Sequence, residues 1–175
     1  MAVLDLLMRL ALVVPPMLLC IVACSEKPAY PEDERILPFD STDVRIVSDR
    51  DTVIVRAELA LSSEQKTLGL MERRRLSNNA GMLFVYDSTQ PSDAGFWMYR
   101  TRIPLDIAFI DSAGVIRAVL AMLPCETTIP QGCATYTPNV PYRYALEVNA
   151  GFFQTHAIAV GDSLLLAGLP PRTVQ

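Results

Sequence analysis

One histidine, His156, and one tryptophan, Trp97, are all that the 175 residues contain of either type. A lone histidine leaves Ser-His-Asp or Cys-His catalysis a single candidate base. It lies in an Ala- and Ile-containing run beside a turn, the setting of a packed or surface histidine. G-x-S-x-G, phosphate-loop and dinucleotide glycine patterns are absent. Base is also short: 15 Lys and Arg face 19 Asp and Glu, for a formal charge of −4 and a pI near 5.0. Such a chain has no general attraction for phosphate backbones, which argues against nucleic-acid binding. No apolar run reaches the roughly 20 residues of a membrane-spanning helix, and there are no internal repeats or low-complexity tracts. With 51% hydrophobic and 19% charged residues, the composition is that of a globular chain.

What is present begins with an address. Met1 to Arg9 is a weakly charged leader, and Leu10 to Ala23 is an apolar run of 14 residues with Pro15-Pro16 in its middle. That length suits the apolar region of a secretory signal. It ends in Ile21-Val22-Ala23-Cys24-Ser25, which resembles a bacterial lipoprotein box. Cys24 is the expected lipid-bearing N-terminus after cleavage of residues 1–23. Cys20, preceded by bulky Leu19, is a poor competitor. The alternative is an uncleaved anchor; both place the domain outside the cytoplasm at a membrane of the bacterial envelope. Ser25 after Cys24 directs a lipoprotein to the outer membrane where there is one. Residues 24–41, with Pro28, Pro31 and Pro38, read as a tether reaching roughly 20–25 Å. The domain proper is expected over residues 42–175.

Removal of the signal and lipidation of Cys24 leave Cys125 and Cys133. In an oxidising compartment this C-x7-C pair is expected to form a disulfide around a Pro- and Thr-containing loop. Closing so short a loop contributes about 2.5 kcal/mol on the chain-entropy model. A metal site is the alternative, but it needs two further ligands in a chain with one histidine. No metal or cofactor is expected.

Short strands dominate the rest. Asp43 to Val47 and Thr52 to Leu61 alternate around a turn, with Val53, Val55, Ala57 and Leu59 on one face of the second. Ser62 to Gln65 is a capping box, predicting a helix of about ten residues that carries Leu68, Leu70 and Met71 inward and closes at Glu72-Arg73-Arg74-Arg75. Met82 to Tyr86 is the next strand, and 87–95 a loop. Phe96 to Tyr99 is short, aromatic and strand-like. Leu105 to Ile110 and Val115 to Met122 form a predicted hairpin around Asp111-Ser112-Ala113-Gly114. Tyr142 to Asn149 and Ser163 to Ala167 complete the strands, with a helical turn near Ala150 to Thr155. The fold class is therefore all-β, mainly strands with one or two short helices, in a compact barrel or sandwich.

The central stretch carries a specific resemblance. Phe96-Trp97-Met98, Thr101 and Ile103-Pro104-Leu105-Asp106-Ile107-Ala108-Phe109-Ile110-Asp111 are similar to the signature of the DUF192 family of uncharacterised bacterial and archaeal proteins. Gly69-Leu70-Met71-x-Arg73, Gly81-Met82-Leu83-Phe84-Val85, Leu146-Glu147-Val148-Asn149-Ala150-Gly151 and Val160-Gly161-Asp162 follow the same pattern in order. The resemblance spans roughly residues 54–166. It implies a compact β-barrel-like sandwich and no established activity. One departure stands out: Tyr99 and Arg100 occupy positions where the family pattern reads Lys-Asn.

The candidate ligand-binding residues are Arg73, Trp97, Thr101, Asp106, Glu147 and Asn149. Trp97 is open between core filling and an aromatic platform. Asp106 interrupts an apolar strand, so it needs a partner if its face is interior; Arg73, Arg100 and Arg102 are the expected ones. Arg73 is open between a buried ion pair and an anion contact. The preferred reading is a non-catalytic, lipid-anchored module binding a small polar, saccharide-like ligand or an envelope partner. The alternatives are a carboxylate hydrolase using Asp106 and Glu147, at the separations of roughly 5–9.5 Å such chemistry requires, and a structural or assembly lipoprotein.

Overall fold

The computed structural model describes residues 38–127 and 129–165. The signal segment, Cys20, Cys24 and most of the tether, and the end of the last expected strand, lie outside them. Strands β1 (Ser41–Val47) and β2 (Thr52–Ala60) form an antiparallel pair. Val55, Ala57 and Leu59 of β2 are buried, as the alternation requires, while Ile54 and Arg56 face outward.

Helix α1 (Ser63–Leu68) opens with the reciprocal capping box: Gln65 N–H donates to Ser62 Oγ at 3.1 Å, and Ser62 N–H donates to Gln65 Oε1 at 3.0 Å. It is six residues long, not ten. Gly69 takes a left-handed φ of +49° and ends it. The segment 69–76 is consequently irregular, with Leu70 and Arg73 buried and Arg74 and Arg75 exposed.

Strand β3 (Ala80–Gln90) runs parallel to β2 and continues through 87–90, where a loop was expected. A bulge between Val85 and Gln90 interrupts its pairing with β8, and the outer residues are exposed, which hides the strand from a periodicity reading. Strand β4 (Phe96–Trp97) is shorter than expected. It pairs with β7 (Thr135–Tyr136), a strand just past Cys133 that was not expected, as a separate two-stranded sheet. The hairpin of β5 (Leu105–Ile110) and β6 (Ile116–Met122) is as read. Its turn is held by Asp111, whose Oδ1 accepts from the N–H groups of Ala113 and Val115 at 2.9 and 3.0 Å.

Strands β8 (Tyr142–Asn149) and β9 (Ser163–Leu165), with helix α2 (Phe152–Thr155) between them, complete the chain. The main sheet has seven strands in the order β6-β5-β8-β3-β2-β1-β9. A bridge between Val115 and Ser163, and N–H donation from Leu164 to Gly114 O at 2.7 Å, join the β9 edge to the start of β6. The sheet thus curls into a half-barrel, mainly β as expected.

Each sheet face has its own core. On one, Val44, Ile46, Val55, Ala108 and Leu146 pack with Phe152 and Phe153 of α2. On the other, Met82, Phe84, Leu105, Ile107, Phe109 and Tyr142 lie under Leu70, Phe96 and Met98. Every residue of β5 is buried. Phe109 meets Tyr142 and Phe96 edge-on, with ring centroids 4.9 and 5.6 Å apart.

Gly81 sits where the sheet leaves no room for a side chain. A Cβ there would lie 2.5 Å from Glu147 O and 3.1 Å from Val55 Cγ1 and Val148 Cγ1. The first of these is backbone in a ladder and cannot swing aside. Gly81→Ala is expected to lower the urea unfolding free energy by about 1–3 kcal/mol; an unchanged midpoint would show that β3 and β8 have slack.

Candidate functional site

The site forms where the chain leaves β4 for β5. Phe96 and Met98 point inward, so Trp97 between them points out and is 43% exposed. Its ring lies against Tyr99, centroids 5.4 Å apart and planes tilted by 37°. Thr101 N–H donates to Met98 O at 2.9 Å, closing a tight turn in which Arg100 adopts φ +53°. Opposite it, Glu72 has φ +61°, and its N–H donates to Arg100 O at 2.8 Å. Two non-glycine residues in the left-handed region therefore face each other across one hydrogen bond.

Their side chains form a network. Arg100 Nε donates to Glu72 Oε1 at 2.5 Å, and Arg102 Nη2 donates to Glu72 Oε2. Desolvation opposes ionisation of Glu72, but Arg100 and Arg102 outweigh it and hold its carboxyl below the ordinary value. A further wall is the Cys125–Cys133 disulfide loop, docked by Cys125 N–H on Thr101 O at 3.0 Å. The result is a surface cleft of about 420 Å³ lined by Glu72, Tyr99, Arg100, Arg102, Glu126 and Thr127. That volume falls within the roughly 300–1,000 Å³ of small-molecule sites.

The residues expected to share one site are dispersed. Trp97 is exposed rather than core, and reaches the cleft only through its ring contact with the lining residue Tyr99. Thr101 is buried and supports the cleft through its backbone. Arg73, 7% exposed, makes the buried ion pair: its Nη2 meets Glu58 Oε2 at 2.5 Å. Asn149 Nδ2 donates to Leu76 O and Ser77 O at 3.2 and 3.0 Å, fastening the segment before β3. Asp106 is interior, yet its partner is none of the three arginines. It accepts from Gly151 N–H at 2.9 Å, at the start of α2. Burial raises the Asp106 pKa despite bonds from the backbone N–H groups of Gly151, Phe153 and Phe152.

Asp106 pairs with Val148 in the β5–β8 register, and Glu147 with Ile107. The two carboxylates therefore project from opposite faces of the sheet and cannot serve as acid and base on one substrate. Cys125 and Cys133 are bonded to each other and unavailable as metal ligands. His156 packs on Phe152 with centroids 4.5 Å apart. Among the described residues, no group of three or more His, Cys, Asp or Glu is placed to hold a metal ion.

Glu72, Arg100, Arg102, Glu126 and Thr127 were missed as site residues. The available signal was the run Tyr99-Arg100-Thr101-Arg102, a charged break between two apolar strands. Only the turn geometry turns its arginines onto Glu72, 28 and 30 residues earlier.

The described fold defines a class: a β half-barrel with a capped rear face and a polar cleft at one corner. The chain belongs to the DUF192 family, described as uncharacterised, whose model matches residues 45–166. No curated protein matches the chain significantly. Among solved structures it is similar to a protein of Sinorhizobium meliloti 1021, provisionally described as a transcription regulator: 32% identity, TM-score 0.66, covering 74% of this chain and 95% of that one. It is also similar to a protein of unknown function from Novosphingobium aromaticivorans DSM 12444, with 28% identity, TM-score 0.61 and coverage of 71% and 84%.

Glu147 is a buried acid of a different kind. It is 4% exposed, between Met82 and Ile107 on the neighbouring strands. Burial pushes its pKa up to about 8. The folded state therefore holds a proton that the unfolded chain releases near pH 4.5, and stability falls as pH rises from there to about 8. The slope is roughly 1 kcal/mol per pH unit at its steepest. Glu147→Gln is expected to flatten this dependence in urea titrations across that range; an unchanged slope would locate the proton elsewhere.

Proposed function

We propose that the protein is a lipid-anchored extracytoplasmic binding module that takes a small polar, saccharide-like ligand in the cleft beside Trp97 and Tyr99. The observation that carries this reading is the exposed Trp97 ring lying against Tyr99, which lines the cleft together with guanidinium and carboxylate groups. An aromatic face suits the C–H surface of a sugar ring, and the charged groups suit its hydroxyls. The Cys125–Cys133 disulfide agrees with an oxidising compartment, and the Cys24 lipobox with attachment to the envelope. The regulator description of the Sinorhizobium protein finds no counterpart in a chain of charge −4. A second reading, docking to an envelope protein, is favoured by Leu123 and Ile129, which flank the cleft's disulfide-loop residues and are 70% and 62% exposed.

Trp97 reports directly, being the sole tryptophan. Titration of the full-length protein in detergent with maltotriose or an N-acetylglucosamine trimer is expected to shift its emission saturably. By calorimetry, Trp97→Ala is expected to weaken binding roughly tenfold, while Asp106→Asn leaves affinity unchanged. Equal loss in both variants would move the ligand away from the cleft. For the anchor, Cys24→Ser is expected to abolish palmitate labelling and leave the protein in the uncleaved precursor form. Undiminished labelling would refute lipidation at Cys24.

A further inference from the structure

Resting on the binding reading above, the geometry points to an electrically neutral polyhydroxyl ligand, an uncharged oligosaccharide rather than a uronate or an amino sugar. The cleft lining carries two guanidiniums, Arg100 and Arg102, and two carboxylates, Glu72 and Glu126, so its formal charge cancels. Glu72 gives one oxygen to each arginine. Among the described residues, no cation pairs with Glu126.

A ligand carboxylate arriving at the arginines would compete with Glu72, which already holds both, and would meet the Glu126 charge. A ligand ammonium drawn to Glu126 would meet two guanidiniums. Either ion loses hydration without gaining an unopposed counter-charge. Hydroxyls fare differently, because each both donates and accepts. Each guanidinium has five N–H donors and uses few of them on Glu72, while the carboxylates retain free lone pairs. Donors and acceptors thus line one cleft together with Tyr99, whose ring lies against Trp97, the pattern that vicinal hydroxyls match.

The test compares three trimers of similar size, N-acetylglucosamine, galacturonic acid and glucosamine, on the full-length protein by Trp97 emission. Measurements at about pH 6 keep both charged trimers ionised. The neutral trimer is expected to bind five- to tenfold more tightly than either charged one. Glu126→Gln leaves the lining with an excess positive charge and is expected to raise galacturonate affinity relative to the neutral trimer by a similar factor. Arg100→Asn leaves excess negative charge and should favour the glucosamine trimer; Asn tolerates the left-handed backbone at that position. Tighter binding of a charged trimer to the unmodified protein, or a ranking unmoved by both substitutions, would overturn this inference and leave the binding module standing. No response from any trimer would remove both.

Discussion

Strand β5 has no solvent face, and the architecture follows from that. All six of its residues are buried between β6 and β8, so each sheet face beside it needs an apolar cover. One cover is α2, which brings Phe152 and Phe153 to the core. The other is built by Leu70, Phe96 and Met98, from segments that sit outside the main sheet. The only polar side chain of β5, Asp106, is tolerated because it accepts the Gly151 N–H and ties α2 to the strand it covers. The second cover has a cost in geometry. To lay Phe96 over the sheet and still enter β5 edge-on, the chain must reverse between Met98 and Thr101. The cleft is what that reversal leaves at the corner.

The ion pairs there do not explain the corner's shape. Arg100 and Arg102 are substantially exposed, and pairs of that kind contribute about 0–1 kcal/mol each. Against this stand two non-glycine residues in the left-handed region, Glu72 and Arg100, at about 1 kcal/mol or more apiece. The corner is held instead by backbone bonds, Glu72 to Arg100 and Cys125 to Thr101, and by the Cys125–Cys133 crosslink. The side-chain network is then a consequence of a rigid frame. It presents donors and acceptors already in place.

Much of this fold is legible in the sequence because its signals are local. Ser62 and Gln65 form the capping box within four residues, Asp111 closes its own hairpin, and the alternation of β2 declares which face is buried. The errors have non-local causes. The end of α1 depends on the backbone of Gly69, and residues 87–90 become strand only because β8 lies beside them past a bulge. The candidate site was harder still. Asp106 and Glu147 are both buried acids on adjacent strands, but a one-residue difference in register puts them on opposite faces. Arg73, Thr101 and Asn149, expected as ligand-binding residues, make structural contacts and do not line the cleft. Trp97 alone of the candidates is exposed, against the lining residue Tyr99. Its outward direction follows from the inward direction of both its neighbours.

The departure of this chain from the DUF192 pattern falls inside the cleft. The blocks that carry the resemblance, such as 81–85, 103–111 and 146–151, build the buried strands, the close approach at Gly81 and the Asp106–Gly151 tie. At 99–100 the family pattern reads Lys-Asn, and position 100 has a left-handed φ of +53°. Asn is among the residues that tolerate this conformation best, so its place in the pattern has a backbone reason independent of any ligand. Arg at 100 accepts the same strain without that advantage, and Tyr at 99 replaces a cation with an aromatic wall against Trp97. Both change what the cleft offers: an aromatic face where a charge would stand, and a guanidinium fixed on Glu72 where a neutral amide would be. The blocks that match the pattern thus build the scaffold, while the departure at Tyr99 and Arg100 falls on the lining of the cleft.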